Sequence, residues 1–131
     1  MMRALPAFAL LLATAALPAR AADLDWSKAQ RLTMTMEEYK FTPNHLTLHR
    51  GQLYRLHMEN RGKEEHELTA PQFLGTVIVG NPEMVTREGT EVDLQPGEEK
   101  DLLFIPNQAG DFPFACGDHE AFGMTGGITV E

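Results

Sequence analysis

Apolar side chains in this chain recur at every second position, in short runs closed by glycine, proline or asparagine. Leu32, Met34 and Met36 alternate with Thr33, Thr35 and Glu37, and Leu46 and Leu48 with His45, Thr47 and His49. Tyr54, Leu56 and Met58 alternate with Arg55, His57 and Glu59. A period of two puts successive side chains on opposite faces, so each run is a strand with one buried face. Further β-prone runs are Thr90 to Leu94 (ended by Gln95-Pro96-Gly97), Leu102 to Ile105 (ended by Pro106), Phe112-Phe114-Cys116, and Gly127 to Val130. Thr76 to Val79 is a shorter candidate inside a weakly patterned connection, Pro71 to Gly89. No stretch sustains a period of 3.6. A strand at about every 10–12 residues with turn residues between predicts an all-β sandwich or barrel.

Composition narrows what such a domain does. A formal charge of −8, from 11 basic and 19 acidic residues, excludes a general nucleic-acid binder, which needs a basic face. The first residues read as an address. Met1-Met2-Arg3 is a basic start, Ala4 to Leu17 is apolar, and Pro18-Ala19-Arg20-Ala21 has small residues where an A-x-A cleavage site needs them. The apolar run is shorter than the roughly 20 residues that span a bilayer. The expectation is a secretory signal peptide over residues 1–21, a single domain over 22–131, and a periplasmic mature protein that does not insert into a membrane. Losing Arg3 and Arg20 and no acid takes the charge from −8 to −10. Export places the chain where thiols oxidise, yet it has one cysteine and can form no internal disulfide.

That cysteine opens the most informative segment, Cys116-Gly117-Asp118-His119-Glu120-Ala121-Phe122-Gly123-Met124. Thiolate, imidazole and thioether are spaced C-x₂-H-x₄-M on the loop before the last strand. A further histidine, His66, lies far upstream in Glu64-Glu65-His66-Glu67-Leu68. Two imidazoles and a thiolate in a trigonal set with a weak axial thioether make up a blue-copper electron-transfer centre. Soft sulfur suits Cu(I) and nitrogen suits Cu(II), so a rigid scaffold offering both needs little rearrangement when one electron moves. Of the other histidines, His45 and His49 alternate with buried leucines, and His57 lies opposite Tyr54, Leu56 and Met58. All three are expected to face solvent. Met34 and Met36 share the face of Leu32 and are expected in the core rather than on copper. Phe73, Phe122 and Pro71 are candidates for an apolar surface around His119. Trp26 carries no assigned role.

Phe112 to Val130 resembles the copper loop and final strand of the cupredoxins, the plastocyanin, pseudoazurin and azurin group. The resemblance rests on Phe114, Cys116, His119, Gly123-Met124 and Gly127-Ile128-Thr129-Val130. Phe41-Thr42-Pro43, Leu46-Thr47-Leu48, Gly51 and Pro96-Gly97-Glu98 support it. It implies a Greek-key β-sandwich of about 7–8 strands. It also implies one type 1 copper ion, cycling between Cu(I) and Cu(II), held by His66, Cys116, His119 and Met124, with His119 at an exposed edge as the electron's way out. Small carriers of this group usually follow the upstream histidine with Asn, Asp, Ser or Thr, which ties the two ligand loops together; here that residue is Glu67.

The function expected is single-electron shuttling between redox partners rather than substrate turnover. The acidic residues, clustered at Glu59 to Glu67 and Glu83 to Asp101, suit a basic redox partner, a cytochrome or oxidoreductase, that is steered by charge. A monomer is expected. The alternative is periplasmic copper or iron handling: sequestration, tolerance, or redox assistance to iron uptake. A cysteine-nucleophile enzyme is disfavoured because Cys116 has no separately held base, and zinc because methionine is not among its usual ligands.

Overall fold

The computed structural model describes residues 20–131. The expected signal peptide, residues 1–21, lies outside the described residues except for Arg20 and Ala21. The described chain folds into ten strands in two five-stranded sheets. They are β1 (Gln30–Glu37), β2 (Lys40–Thr42), β3 (His45–Leu48), β4 (Tyr54–Asn60), β5 (His66–Thr69), β6 (Ile78–Val79), β7 (Glu91–Leu94), β8 (Glu99–Ile105), β9 (Gly110–Ala115) and β10 (Thr125–Val130). One sheet has the order β2-β1-β4-β8-β6 and the other β3-β10-β9-β5-β7. The chain thus crosses between sheets at every connection from β2 to β9. Two pairings are parallel, β1 with β4 and β3 with β10; the rest are antiparallel. Among the described residues no helix is long and apolar enough to cross a membrane.

The alternating runs supply the core, as the period of two requires. Met34, Met36, Tyr54, Leu56, Met58, Leu102 and Phe104 from one sheet meet Leu46, Leu48, Leu68, Val92, Leu94, Phe112, Phe114, Ile128 and Val130 from the other. Each fully buried side chain of this size is worth about 1.5–3 kcal/mol over its exposed state. Met34 and Met36 are completely buried, so they are packing residues. Phe73, on the single helical turn Pro71–Leu74, is also core: its ring packs edge-on against Phe104 and Phe112 at 5.4 and 5.7 Å. It takes no part in a surface around His119.

The ten strands exceed the number expected by β2 and β5: β2 has three residues, too few to show alternation, and β5 buries His66, Glu67 and Leu68 in succession. His45 and His49 are exposed as expected. His57 is not. It stands on the outer face of its sheet, but neighbouring carboxylates cover it, leaving the side chain 14% exposed. Its Nδ1 is 2.6 Å from Asp101 Oδ1 and its Nε2 3.2 Å from Glu59 Oε1. β8 runs antiparallel to β4 and sets Asp101 directly across from His57, a pairing that the sequence of β4 alone does not show.

Candidate metal centre

Two pieces of chain meet at one end of the sandwich. The first is the start of β5, reached through a tight loop from β4. Asn60 ends β4 on its buried face and is 2% exposed. Its Oδ1 accepts from Gly62 N at 2.9 Å, the two-residue reach of an Asx turn. Its Nδ2 donates to Glu64 O at 2.8 Å and to Leu94 O at 2.9 Å. One amide thus shapes the loop that delivers His66, which is fully buried.

The second piece is the β9–β10 connection. Cys116 follows β9 on the buried face shared by Phe112 and Phe114. The loop closes on itself: Cys116 N donates to Met124 O at 3.0 Å, His119 N to Cys116 O at 3.1 Å, and Phe122 N to His119 O at 2.9 Å. A 3-10 turn, Glu120–Phe122, ends at Gly123 with φ of 85°, a left-handed conformation that glycine adopts without a Cβ penalty. Three of the four expected ligands are therefore carried on nine tightly hydrogen-bonded residues.

The geometry brings His66, Cys116 and His119 together. Their donor atoms lie within 4.8 Å of one another, and all three residues are buried. Both imidazoles turn Nδ1 toward the thiol: Cys116 Sγ is 3.2 Å from His119 Nδ1 and 3.8 Å from His66 Nδ1. Trigonal ligands bound at about 2.0–2.3 Å stand roughly 3.6 Å apart. The two distances bracket that value, so one ion fits among the three donors with small adjustments. Met124 is completely buried beside them in the chain, with its N–H directed to His119 O at 3.4 Å.

Glu67 does tie the two pieces together. Its Oε1 accepts from Asp118 N at 2.7 Å, and the residue is only 6% exposed. The longer glutamate reaches across to the ligand loop, which passes closely over it. A Cβ on Gly117 would sit 3.1 Å from Glu67 Oε1. Burial pushes the Cys116 thiol up to about 11, and the Glu67 carboxylate adds to this. A cation binding there displaces a proton from sulfur.

His119 departs from the expectation of an exposed edge. It is 8% exposed, and its Nε2 meets Glu64 Oε2 at 2.7 Å. The Tyr39 ring lies 4.9 Å from it and stacks on Phe122 at 4.8 Å. Phe122 itself is 65% exposed and forms the surface above the site. Three residues that sequence reading passed over therefore shape the centre: Tyr39, Asn60 and Glu38. The last places Oε1 3.4 Å from His66 Nε2. Only Asn60 left a trace in the sequence, as a polar residue in phase with Tyr54-Leu56-Met58 and two residues before a glycine.

Known structures share this architecture. A dithionite-reduced auracyanin from Roseiflexus castenholzii superposes with a TM-score of 0.59 at 17% identity, covering 79% of this chain and 98% of its own. The metal-binding domain of the Cu(I)-exporting P-type ATPase CopA of Streptococcus pneumoniae, solved with Cu(I), gives 0.54 at 20% identity, covering 84% and 92%. A multicopper oxidase from Pseudomonas thermotolerans gives 0.61 at 15% identity, covering 79% of this chain and 29% of its own. At these identities the likeness establishes the fold. No curated protein matches the sequence. A family model described as the cupredoxin-like domain matches residues 5–130, and the chain belongs to that family.

Proposed function

We propose that this protein is a type 1 copper protein that carries single electrons, in which His66, Cys116 and His119, joined by the Met124 thioether, would hold the ion. The convergence of one buried thiol and two buried Nδ1 atoms within 4.8 Å carries the reading. Copper held there supplies a one-electron couple. The chain's own part is to hold the donors rigid between two sheets and to keep water from them. The donor set fits that ion: sulfur and imidazole suit both oxidation states, and the buried thioether is a further soft donor. His119 Nδ1 lies 3.2 Å from Cys116 Sγ with Glu64 behind the ring, but the sulfur is fully buried, out of a substrate's reach, which supports a carrier over an enzyme.

Asp118, Glu120, Glu64 and Glu65 are exposed on the two segments that carry the histidines. They suit a basic redox partner, whose encounter would slow as salt screens the charges over a Debye length of about 8 Å at physiological ionic strength. The N-terminal segment supports a periplasmic location. The test is to add Cu(II) to the apoprotein. An intense blue absorption and a type 1 EPR spectrum, both lost in Cys116→Ser, are expected; a colourless Cu(II) complex refutes the reading. A second reading, copper or iron handling, draws support from the carboxylate over His119, which covers the edge a fast carrier would expose. A deletion strain with normal metal tolerance and uptake but impaired respiration counts against it.

A further inference from the structure

We infer that Glu64 and Glu38 are positioning residues for the two ligand imidazoles and that, together with Glu67, they bias the centre toward Cu(II) over Cu(I). The inference rests on the copper reading above. Both histidines present Nδ1 to Cys116, so both must carry their ring proton on Nε2 if Nδ1 is to bind a metal. Each Nε2 faces a carboxylate. His119 Nε2 is 2.7 Å from Glu64 Oε2, and the other oxygen of Glu64 accepts from the Tyr39 hydroxyl at 3.2 Å. His66 Nε2 is fully buried with no hydrogen-bond partner, and Glu38 Oε1 stands 3.4 Å away, out of alignment for a bond.

Glu38 is not there by chance of rotamer. Its Oε1 accepts from the backbone N–H groups of Lys63 and Glu64, tying the β1–β2 turn to the loop before His66. Gly62 makes room for it: a Cβ there would lie 2.5 Å from the same oxygen. Outer partners of this kind fix the tautomer of a ligating histidine and raise its basicity. The two act differently. Glu64 works through a directional bond and its charge, Glu38 through its charge alone.

Reduction adds one electron, supplied by the redox partner, with no bond made or broken. The electron enters a centre that faces the Cys116 thiolate and three carboxylates, and like charge opposes its arrival. Removing one outer carboxylate charge therefore favours the reduced form. Changes to such partners typically alter metal affinity by about 10–100-fold. Glu64→Gln and Glu38→Gln are each expected to shift the Cu(II):Cu(I) ratio at fixed ambient potential about tenfold toward Cu(I), a midpoint rise of about 59 mV for one electron.

The experiment pairs redox titration of the copper-loaded wild type and both Gln variants with long-range ¹⁵N–¹H spectra of the apoproteins. Wild-type His119 is expected as a single Nε2–H tautomer, retained in Glu64→Gln and mixed in Glu64→Ala. Gln variants that keep the wild-type absorption and midpoint overturn the bias. A mixed or Nδ1–H tautomer in wild type overturns the role of Glu64. If the wild type binds no copper, the copper reading falls and takes the bias with it, while the tautomer measurement, which needs no metal, still decides the role of Glu64.

Discussion

Removing the Asn60 amide tests whether one buried side chain holds the loop that presents the upstream histidine. Its three hydrogen bonds all go to backbone, with lengths of 2.8 to 2.9 Å. In Asn60→Ala, Glu64 O and Gly62 N lie near the surface and regain water, so each lost bond costs about 0.5–1 kcal/mol. Leu94 is completely buried, and its carbonyl loses a donor that water does not replace, at about 1–3 kcal/mol. The expected loss is about 3 kcal/mol. For a domain of this size that is roughly 10–15 °C in Tm. Urea denaturation of the apoprotein followed by circular dichroism measures it, with an unchanged m-value showing that only stability moved. Asn60→Asp sharpens the test: it keeps the acceptor for Gly62 N but turns a carboxylate oxygen toward two carbonyls, so it is expected to be at least as damaging as alanine. A loss under about 1 kcal/mol in the alanine variant, or an Asp variant close to wild type, would refute the reasoning, because volume rather than hydrogen bonding would then account for the site.

Three further expectations follow from other parts of the molecule. A Cβ on Gly80 would lie 2.3 Å from Trp26 Cζ2, so Gly80→Ala must dislodge the only tryptophan, and a red-shifted fluorescence maximum is expected; an unshifted spectrum contradicts the packing. Burial pushes Asp101 up, but hydrogen bonds from His57 and Arg55 outweigh it and hold the carboxyl below its usual range. A lowered folded value means stability that is present above about pH 4 and lost as pH falls through the folded value, so the deficit of Asp101→Asn is expected to be full at neutral pH, within about 1 kcal/mol, and to shrink in acid. A deficit that grows in acid refutes the assignment. Phe122→Ala removes a mostly exposed ring stacked on Tyr39 and is expected to cost about 0.5–1.5 kcal/mol in urea unfolding while leaving copper binding intact; loss of copper binding would place Phe122 inside the site rather than above it.

Alternation made the long strands legible. Leu32 to Met36, Tyr54 to Met58 and Phe112 to Cys116 each present the buried face that their period requires, and the C-x₂-H-x₄-M spacing located three of the expected ligands. What alternation leaves unsaid is what covers the other face. His57 is out of phase with the core and reads as exposed, but the antiparallel register of β8 brings Asp101 over it. His119 reads as a loop histidine, and its burial comes from Tyr39 and Glu64, residues far from it in the chain. Glu67 could be recognised as standing where a tying residue belongs; that its carboxylate makes the tie depends on how closely Gly117 passes. These are contacts between segments distant in sequence, and no local pattern records them.

The parallel pairing of β3 with β10 sets an order of events for a chain that folds as it emerges from its N-terminus. His66 and its loop appear early, but the sheet that carries them closes only when Thr125–Val130 docks beside His45–Leu48. Pairings this distant close slowly, in the millisecond-to-second range typical of β-sandwiches. Until then the Cys116–Met124 loop lacks the strand that continues from Met124 and pairs back along β9. The same delay is the interval in which the thiol is open to oxidation, which makes closure by the final strand the step that protects the centre before it can be filled.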